Sequence, residues 1–408
     1  MNDPNIKINS YKYSINIVYL DKKKNKNIKI PVEKVTDFAI DYNYKDNTMP
    51  VALATIALDR RFRDNMIRDM DVNTITVNIK KKCESSGDDT WVDYIKTTEF
   101  KYFINEQHNR RYDYTNQEEE RDDILIGTGV VLLPINALKN NKKIKNTNIF
   151  DTAMSTIVAN FTFPLGKILM QPLTNNKVIS QLIVPKDLTT INQCLVFFNS
   201  QECAFYDSMY RFFIDFDQSY LIDSSGKAVV RKGENITQVY IDVLGLENLH
   251  PTHEYGMAIE TKKKRYYIPT GIQAVQVTEP AYNISANDFS KVTGIDADGH
   301  KVTYNIDITG KGNKTATKVI NVENNNLKYV KNLAIQYRSS AIGVMFSKND
   351  LDSSVLTMNK EYMLHFVDEY RDKSGRYILN RKREYYTIEN SIYRMSTALT
   401  LNKVDLNV

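Results

Sequence analysis

The chain has 408 residues, with 54 basic and 49 acidic side chains and a formal charge of +5, and at about 100–200 residues per domain it holds two to four domains. Apolar residues at 42% and charged residues at 25% exclude wholesale disorder, and so even a mixture of signs is not the footprint of a dedicated nucleic-acid binder. Mean hydropathy is −0.43, and no apolar run approaches the roughly 18–20 residues of a membrane helix, so no membrane segment is expected.

The first ten residues, MNDPNIKINS, carry an early acid and no apolar h-region, so no signal peptide is expected. A period of two then takes over. Tyr11, Tyr13, Ile15, Ile17 and Tyr19 alternate with Lys12, Ser14 and Asn16, the pattern of a half-buried strand. The lysine- and asparagine-rich LDKKKNKNIKI follows as a turn into the next strand. Asp59 to Met70 is a helical candidate: Phe62, Met66, Ile67 and Met70 fall on one stripe, and Asp59 is placed to cap its start. Such a stripe suits a helix covering the open end or side of a β-barrel. The alternation returns with Ile75, Val77 and Ile79, and again with Phe100, Tyr102 and Ile104.

After the basic stretch from Leu138 to Asn148 the period changes to 3.6. Met154, Ile157, Val158 and Phe161 are spaced i, i+3, i+4, i+7, behind Asp151 as N-cap. A second helix is expected from Asp187 to Asn199, with Leu188, Ile191, Leu195 and Phe198 on one face. KILMQP, SQLIVP and YRFFIDF are expected as strands around these helices. KNNKKIKNTN before this α/β unit and DSSGKAVVRKGEN after it have the composition of domain edges.

The last third returns to strands. Val302, Tyr304, Ile306 and Ile308 alternate with polar residues, and DADG (296–299), GKGN (310–313), ENNN (323–326) and DKSG (372–375) mark hairpin turns. The fold class is therefore α+β, mainly β: two antiparallel β-rich parts, for which a duplicated barrel is one reading, flank an inserted small α/β domain. The expected divisions are 1–145 for the first barrel, with its one helix at 59–70, 146–235 for the insert, and 236–408 for the second β domain.

Candidate chemistry is sparse. Cys83, Cys194 and Cys203 form no CxxC pair, which speaks for buried thiols in a reducing compartment rather than a zinc ribbon or disulfide framework. His250 and His253 flank Pro251, which favours a turn over a metal site. An EF-hand register over GIDADGHKVTYN would start at Gly294 and end at Asn305, both wrong for calcium, despite Asp296 and Asp298. In GKGNKT (310–315) Asn313 stands where a phosphate loop needs glycine, and GTG (127–129) falls far short of a dinucleotide fingerprint. Asp215 and Asp217 are the one tempting carboxylate pair. On a strand they would share a face about 7 Å apart, a spacing suited to acid–base work on a glycoside. Solvent-facing aspartates opposite Phe212, Ile214 and Phe216 account for the spacing equally. No catalytic residue, cofactor site or metal ligand is assigned. The basic clusters Lys22–Lys24, Lys80–Lys82, Lys262–Arg265 and Arg381–Arg383 are short; at least two fall at expected hairpin tips, balanced locally by Glu118–Glu120, Asp122 and Asp123. Solvated tips are the expectation, with contact to an acidic partner or passing nucleic acid as the alternative.

The middle third carries a resemblance. The Asp151–Phe161 helix, the KILMQP strand and the run VPKDLTTINQCLVFFNSQECAFYDSMYRFFIDFDQSYLID resemble the inserted α/β domain of bacteriophage tail baseplate hub proteins. Gly375-Arg376-Tyr377-Ile378-Leu379 followed by Leu399-Thr400-Leu401 is similar to the closing strands of their tube-like domains. The domain order covers essentially the whole chain. This resemblance implies two tail-tube-like barrels per chain and a homotrimer, so that six barrels make a pseudo-sixfold ring matching the tail tube on one side and a trimeric spike on the other. It further implies a lumen passing the tape-measure protein and DNA, a place in the virion after assembly in the host cytoplasm, and no enzymatic activity. The rival readings are a tail-associated peptidoglycan hydrolase using Asp215 and Asp217, a receptor- or carbohydrate-binding protein with exposed tyrosines as stacking platforms, and another baseplate component.

Overall fold

A computed structural model of the chain describes residues 11–43, 49–84, 89–110, 125–139, 148–201, 205–206, 210–216, 218–223, 237–241, 256–261, 264–269, 272–278, 291–295, 301–305, 341–346, 356, 361–366, 374–389 and 392–403. The first third forms β1 (Tyr11–Asp21), β2 (Lys26–Ile30), β3 (Val35–Asn43), β4 (Val51–Asp59), helix α1 (Arg60–Arg68), β5 (Thr74–Cys83), β6 (Val92–Arg110), β7 (Leu125–Pro134) and the short helix α2 (Ile135–Leu138). The middle third forms β8 (Asn148–Ala153), α3 (Met154–Thr162), β9 (Lys167–Met170), β10 (Val178–Ile183), α4 (Ile191–Gln201), β11 (Tyr210–Ile214) and β12 (Gln218–Asp223). The last third forms β13 (Thr237–Ile241), β14 (Gly256–Thr261), β15 (Lys264–Pro269), β16 (Ile272–Thr278), β17 (Lys291–Ile295), β18 (Lys301–Asn305), β19 (Ala341–Phe346), β20 (Glu361–Phe366), β21 (Gly375–Glu389) and β22 (Ile392–Lys403).

Eight of these strands close into an antiparallel barrel in the order β21-β3-β4-β7-β6-β5-β1-β22, with β21 pairing back to β22. Alternation dictates its filling. Tyr13, Ile15, Ile17 and Tyr19 of β1 and Ile75, Val77 and Ile79 of β5 are at most 3% exposed, as are Phe100 and Tyr102 of β6. Ala52 and Ala54 of β4 face inward among these large rings, the mixture of small and large residues a tapering barrel needs. Tyr13 meets the rings of Tyr94 and Tyr386 edge to face at 5.7 and 5.5 Å. The β1–β22 seam rests on one ladder pair, Tyr13 with Tyr393. Arg394 reinforces it by donating to Tyr11 O at 3.3 Å and to Glu84 at 2.6 Å, and Glu84 also pairs with Lys12.

Helix α1 occupies the expected place. Asp59 accepts from Phe62 N at 2.7 Å as N-cap, and the stripe packs into the barrel core, with Met66 fully buried and Phe62 edge-on to Tyr19. Tyr102 donates its hydroxyl to Met66 O at 2.7 Å.

The strand pairing crosses the expected division at 236. Residues 375–403 fall in the last domain by sequence, yet Arg381–Tyr386 pair with β3 and Tyr393 pairs with β1. The barrel is part of one 15-stranded sheet, which runs on from the same hairpin as a second sheet region, β15-β14-β13-β20 beside β21 and β19-β16 beside β22. Its β13–β20 pair is parallel, a departure from an all-antiparallel unit. Local periodicity reports which face of a strand is buried but not which strand lies beside it.

The insert has its own core, drawn from Ala137 to Leu221. It contains the β8–β10 pair and the three-stranded sheet β11-β12-β9. The expected strands appear, but both helix starts differ from expectation. Asp151 lies in β8 with φ of 43° and does not cap α3. Instead Met154 N donates to Lys177 O and Ser155 N to Asn176 Oδ1, both at 2.9 Å. Helix α4 begins at Ile191 because Thr190 and Gln193 form a reciprocal capping box: Gln193 N donates to Thr190 Oγ1 at 3.1 Å, and Thr190 N donates to Gln193 Oε1 at 3.0 Å.

Candidate functional site

The carboxylate pair does not form the strand-borne site expected for it. β11 ends at Ile214, so Asp215 belongs to the turn into β12. There its backbone N donates to Gln218 O at 2.7 Å, and its side chain accepts from Phe216 N at 2.9 Å. An aspartate holding the next backbone N–H is a turn former. Asp217 lies outside the described residues, as do His250, His253, the turn at 296–300, GKGNKT and Cys203. Gly127 and Gly129 are ordinary positions of β7. Cys194 is buried in α4, and burial pushes its thiol up to about 11, away from nucleophilic use at neutral pH. Among the described residues no three His, Cys, Asp or Glu side chains gather closely enough to hold a metal ion.

The basic clusters are tied down to a degree their sequence does not suggest. At the β1–β2 turn Lys22 pairs with Glu99 at 2.7 Å, Lys23 with Asp69 at 2.6 Å and Lys24 with Asp21 at 3.6 Å. The Lys23 and Arg68 cations hold the Asp69 carboxyl below its ordinary value. Lys82 pairs with Asp89, and Lys81 lies over the rings of Tyr11 and Tyr94. Arg381 forks onto the Asp41 carboxylate.

Lys382 is the larger surprise. It points into the barrel, 3.0 Å from Glu384, with side chains only 8% and 0% exposed. Tyr94 donates to Glu384, Tyr386 donates to it at 2.9 Å, and the Lys382 ammonium lies over the Tyr42 ring at 4.5 Å. Burial, with Glu384 beside them, holds both the Tyr94 and Tyr386 hydroxyls well above the ordinary tyrosine range. Lys382 faces inward because β21 carries a bulge between Leu379 and Arg381. Before it Tyr377 and Leu379 are buried; after it the buried set is Lys382, Glu384 and Tyr386. The signal is present in LNRKREYY as a break in alternation, but a charged run conceals it.

A second buried arrangement sits at that bulge. Arg211 of β11 donates from Nη1 to Leu379 O at 3.0 Å and from Nη2 to Asn380 Oδ1. Burial lowers its guanidinium pKa to about 10, which leaves it charged at neutral pH.

A groove of about 290 Å³ runs over the outer face of β3, β4, β7 and β21. Tyr385, Ala39, Leu53 and Val131 are cross-strand neighbours along its floor, with Asp37 and Arg383 at its edges. Eight of the tyrosines are packed inside and are not stacking platforms: Tyr13, Tyr19, Tyr102, Tyr206, Tyr362, Tyr377, Tyr386 and Tyr393 are each below 2% exposed.

The fold, a ring-packed barrel with a hairpin that it shares with further strands, is like that of phage tail proteins. A crystal structure of a tail protein from Neisseria meningitidis superposes with TM-score 0.53 at 10% identity, covering 96% of each chain. The 43-kDa tail protein of prophage MuSo2 from Shewanella oneidensis superposes with TM-score 0.52 at 12% identity, over 96% of this chain and 99% of that one. No curated protein matches the sequence. The family model described as bacteriophage PBS1 gene 109 protein matches residues 4–404, and the chain belongs to that family.

Proposed function

We propose that the chain is the baseplate hub subunit of a phage-type tail, three copies of which form a ring joining the tail tube to the central spike. The observation that carries this reading is the β21–β22 hairpin, which belongs to the eight-stranded barrel and to the second sheet at once. One chain thereby presents two β units in a fixed relation. Three chains around an axis then present six, which reconciles a sixfold tube with a threefold spike. Ring closure also covers exposed strand edges through pairing between subunits. The role calls for no catalytic residue or cofactor. Its partners are two further copies of itself, the tube, the spike and the tape-measure protein, with DNA passing transiently through the lumen. Its location is the virion, after assembly in the host cytoplasm. Domains at 1–145, 146–235 and 236–408 remain the proposed units, with the hairpin shared between the outer two.

Co-expression with the spike protein, followed by native mass spectrometry, tests the reading. A complex containing three copies of the chain is expected. A chain that stays monomeric in the presence of its spike at high concentration would overturn it.

A further inference from the structure

β21 changes partner midway along its length. On the side away from β22, β20 pairs with Gly375–Ile378 and β3 pairs with Arg381–Tyr386. Leu379 and Asn380 fall between these two described pairings, at the bulge. A buried backbone carbonyl at such a bulge must find a donor or bear a desolvation cost. Arg211 supplies it. Its two Nη groups reach Leu379 O at 3.0 Å and the Asn380 side chain, and Asn380 is only 4% exposed. The donor comes from neither β unit but from β11 of the insert, 168 residues earlier in the chain.

The surroundings of β11 fit this bridging position. Phe213 and, from β12, Ile222 belong to the core that the barrel shares with Tyr362 and Leu364 of β20, whereas Phe212, Ile214 and Leu221 belong to the core of the insert. The β11–β12 hairpin is therefore seated between the two cores, and Arg211 projects from it to the point where barrel and second sheet part. A planar guanidinium can serve two acceptors at once in a fixed fork, which a lysine ammonium cannot do with the same geometry.

We propose that Arg211 is a latch through which the inserted unit fixes the joint between the barrel and the C-terminal sheet. With the latch engaged, β21 runs through both units as one stiff strand. With it removed, the bulge at Asn380 becomes a hinge, and the two β units open independently. The inference rests on the hydrogen bonding at the joint and holds whether or not the chain forms a ring.

Hydrogen exchange read by mass spectrometry on the full chain tests it, comparing Arg211→Ala and Arg211→Lys with the parent. Both variants are expected to speed exchange by about tenfold or more in peptides spanning 375–389, while the β4 and β7 peptides (51–59 and 125–134) keep their protection. Asn380→Ala keeps the cation and removes one acceptor. It should give the same pattern at smaller amplitude, and it decides the matter if the Arg211 variants fail to fold. Unchanged exchange in 375–389, equal acceleration of all strands, or rescue by Arg211→Lys would each overturn the latch.

Discussion

Lys382 and Glu384, two residues apart on one strand, form an ion pair at 3.0 Å inside the barrel, where neither has appreciable access to water. Two buried charges in a low-dielectric site hold each other in place. Taking one away leaves the other uncompensated, at a cost of about 3–5 kcal/mol. Glu384→Gln should therefore destabilise the chain by about that amount in urea unfolding. Lys382→Met combined with Glu384→Gln should recover part of the loss, because the glutamine oxygen still accepts from Tyr94 and Tyr386. A double variant no more stable than the single one would show that the pair is not the source of the cost.

Helix α1 is held to the barrel by burial more than by polar contact. Met66→Ala empties a fully buried site in the same core as Phe62, Tyr19 and Tyr102, and a loss of about 2–5 kcal/mol is expected. Tyr102→Phe removes the hydrogen bond to Met66 O and the hydroxyl contact with Tyr19, and should cost about 1 kcal/mol. Chemical denaturation with the slope held constant separates the two effects.

Stability should depend on pH in two windows. Tyr94 and Tyr386 are raised on folding, mainly by burial, and Tyr393 is pushed up to about 12 by burial and by Glu33. A group raised on folding gives its full stabilisation below the ordinary tyrosine value of 10.0 and loses it as pH climbs through the folded value. On the acid side, hydrogen bonds from Lys22 and Thr74 hold Glu99 below its ordinary 4.5, so its contribution is present above that pH and lost as pH falls through the lowered value. The unfolding midpoint should be flat between these limits and decline outside them. Tyrosinate absorbance that titrates fully near pH 10 in the folded chain would contradict the alkaline half.

Asp215 is a turn residue, and Asp215→Ala should lower stability by about 1 kcal/mol through the lost bond to Phe216 N. On peptidoglycan zymograms neither the parent nor the variant is expected to clear the gel. A clear zone that disappears with Asp215→Ala would instead favour the hydrolase.

Much of this architecture follows from alternation alone. β1, β5 and β6 lie where Tyr13 to Tyr19, Ile75 to Ile79 and Phe100 to Tyr102 place them, and α1 follows from its stripe and its Asp59 cap. What alternation cannot convey is partnership over distance. Nothing local to Arg381–Tyr386 says that these residues pair with Asn43–Phe38, more than 300 positions away. The buried pair was hidden for a related reason. In NRKREYY a one-residue bulge turns Lys382 and Glu384 inward, and a charge-rich run then resembles a solvated tip. Asp151 looked like a cap because it precedes an apolar helix, but two residues of β8 stand between it and Met154, and Asn176 takes the role. Arg211 carried no signal at all, since a single arginine in an apolar strand gains meaning only from the distant bulge it reaches.

The proposed ring is a matter of geometry around an axis, which imaging of the purified particle reads without intermediaries. Class averages of the chain assembled with its spike should show a ring with threefold symmetry and six β-rich lobes around a central channel, two lobes from each copy. Isolated two-lobed particles, or a ring whose copy number is not three, would contradict the account.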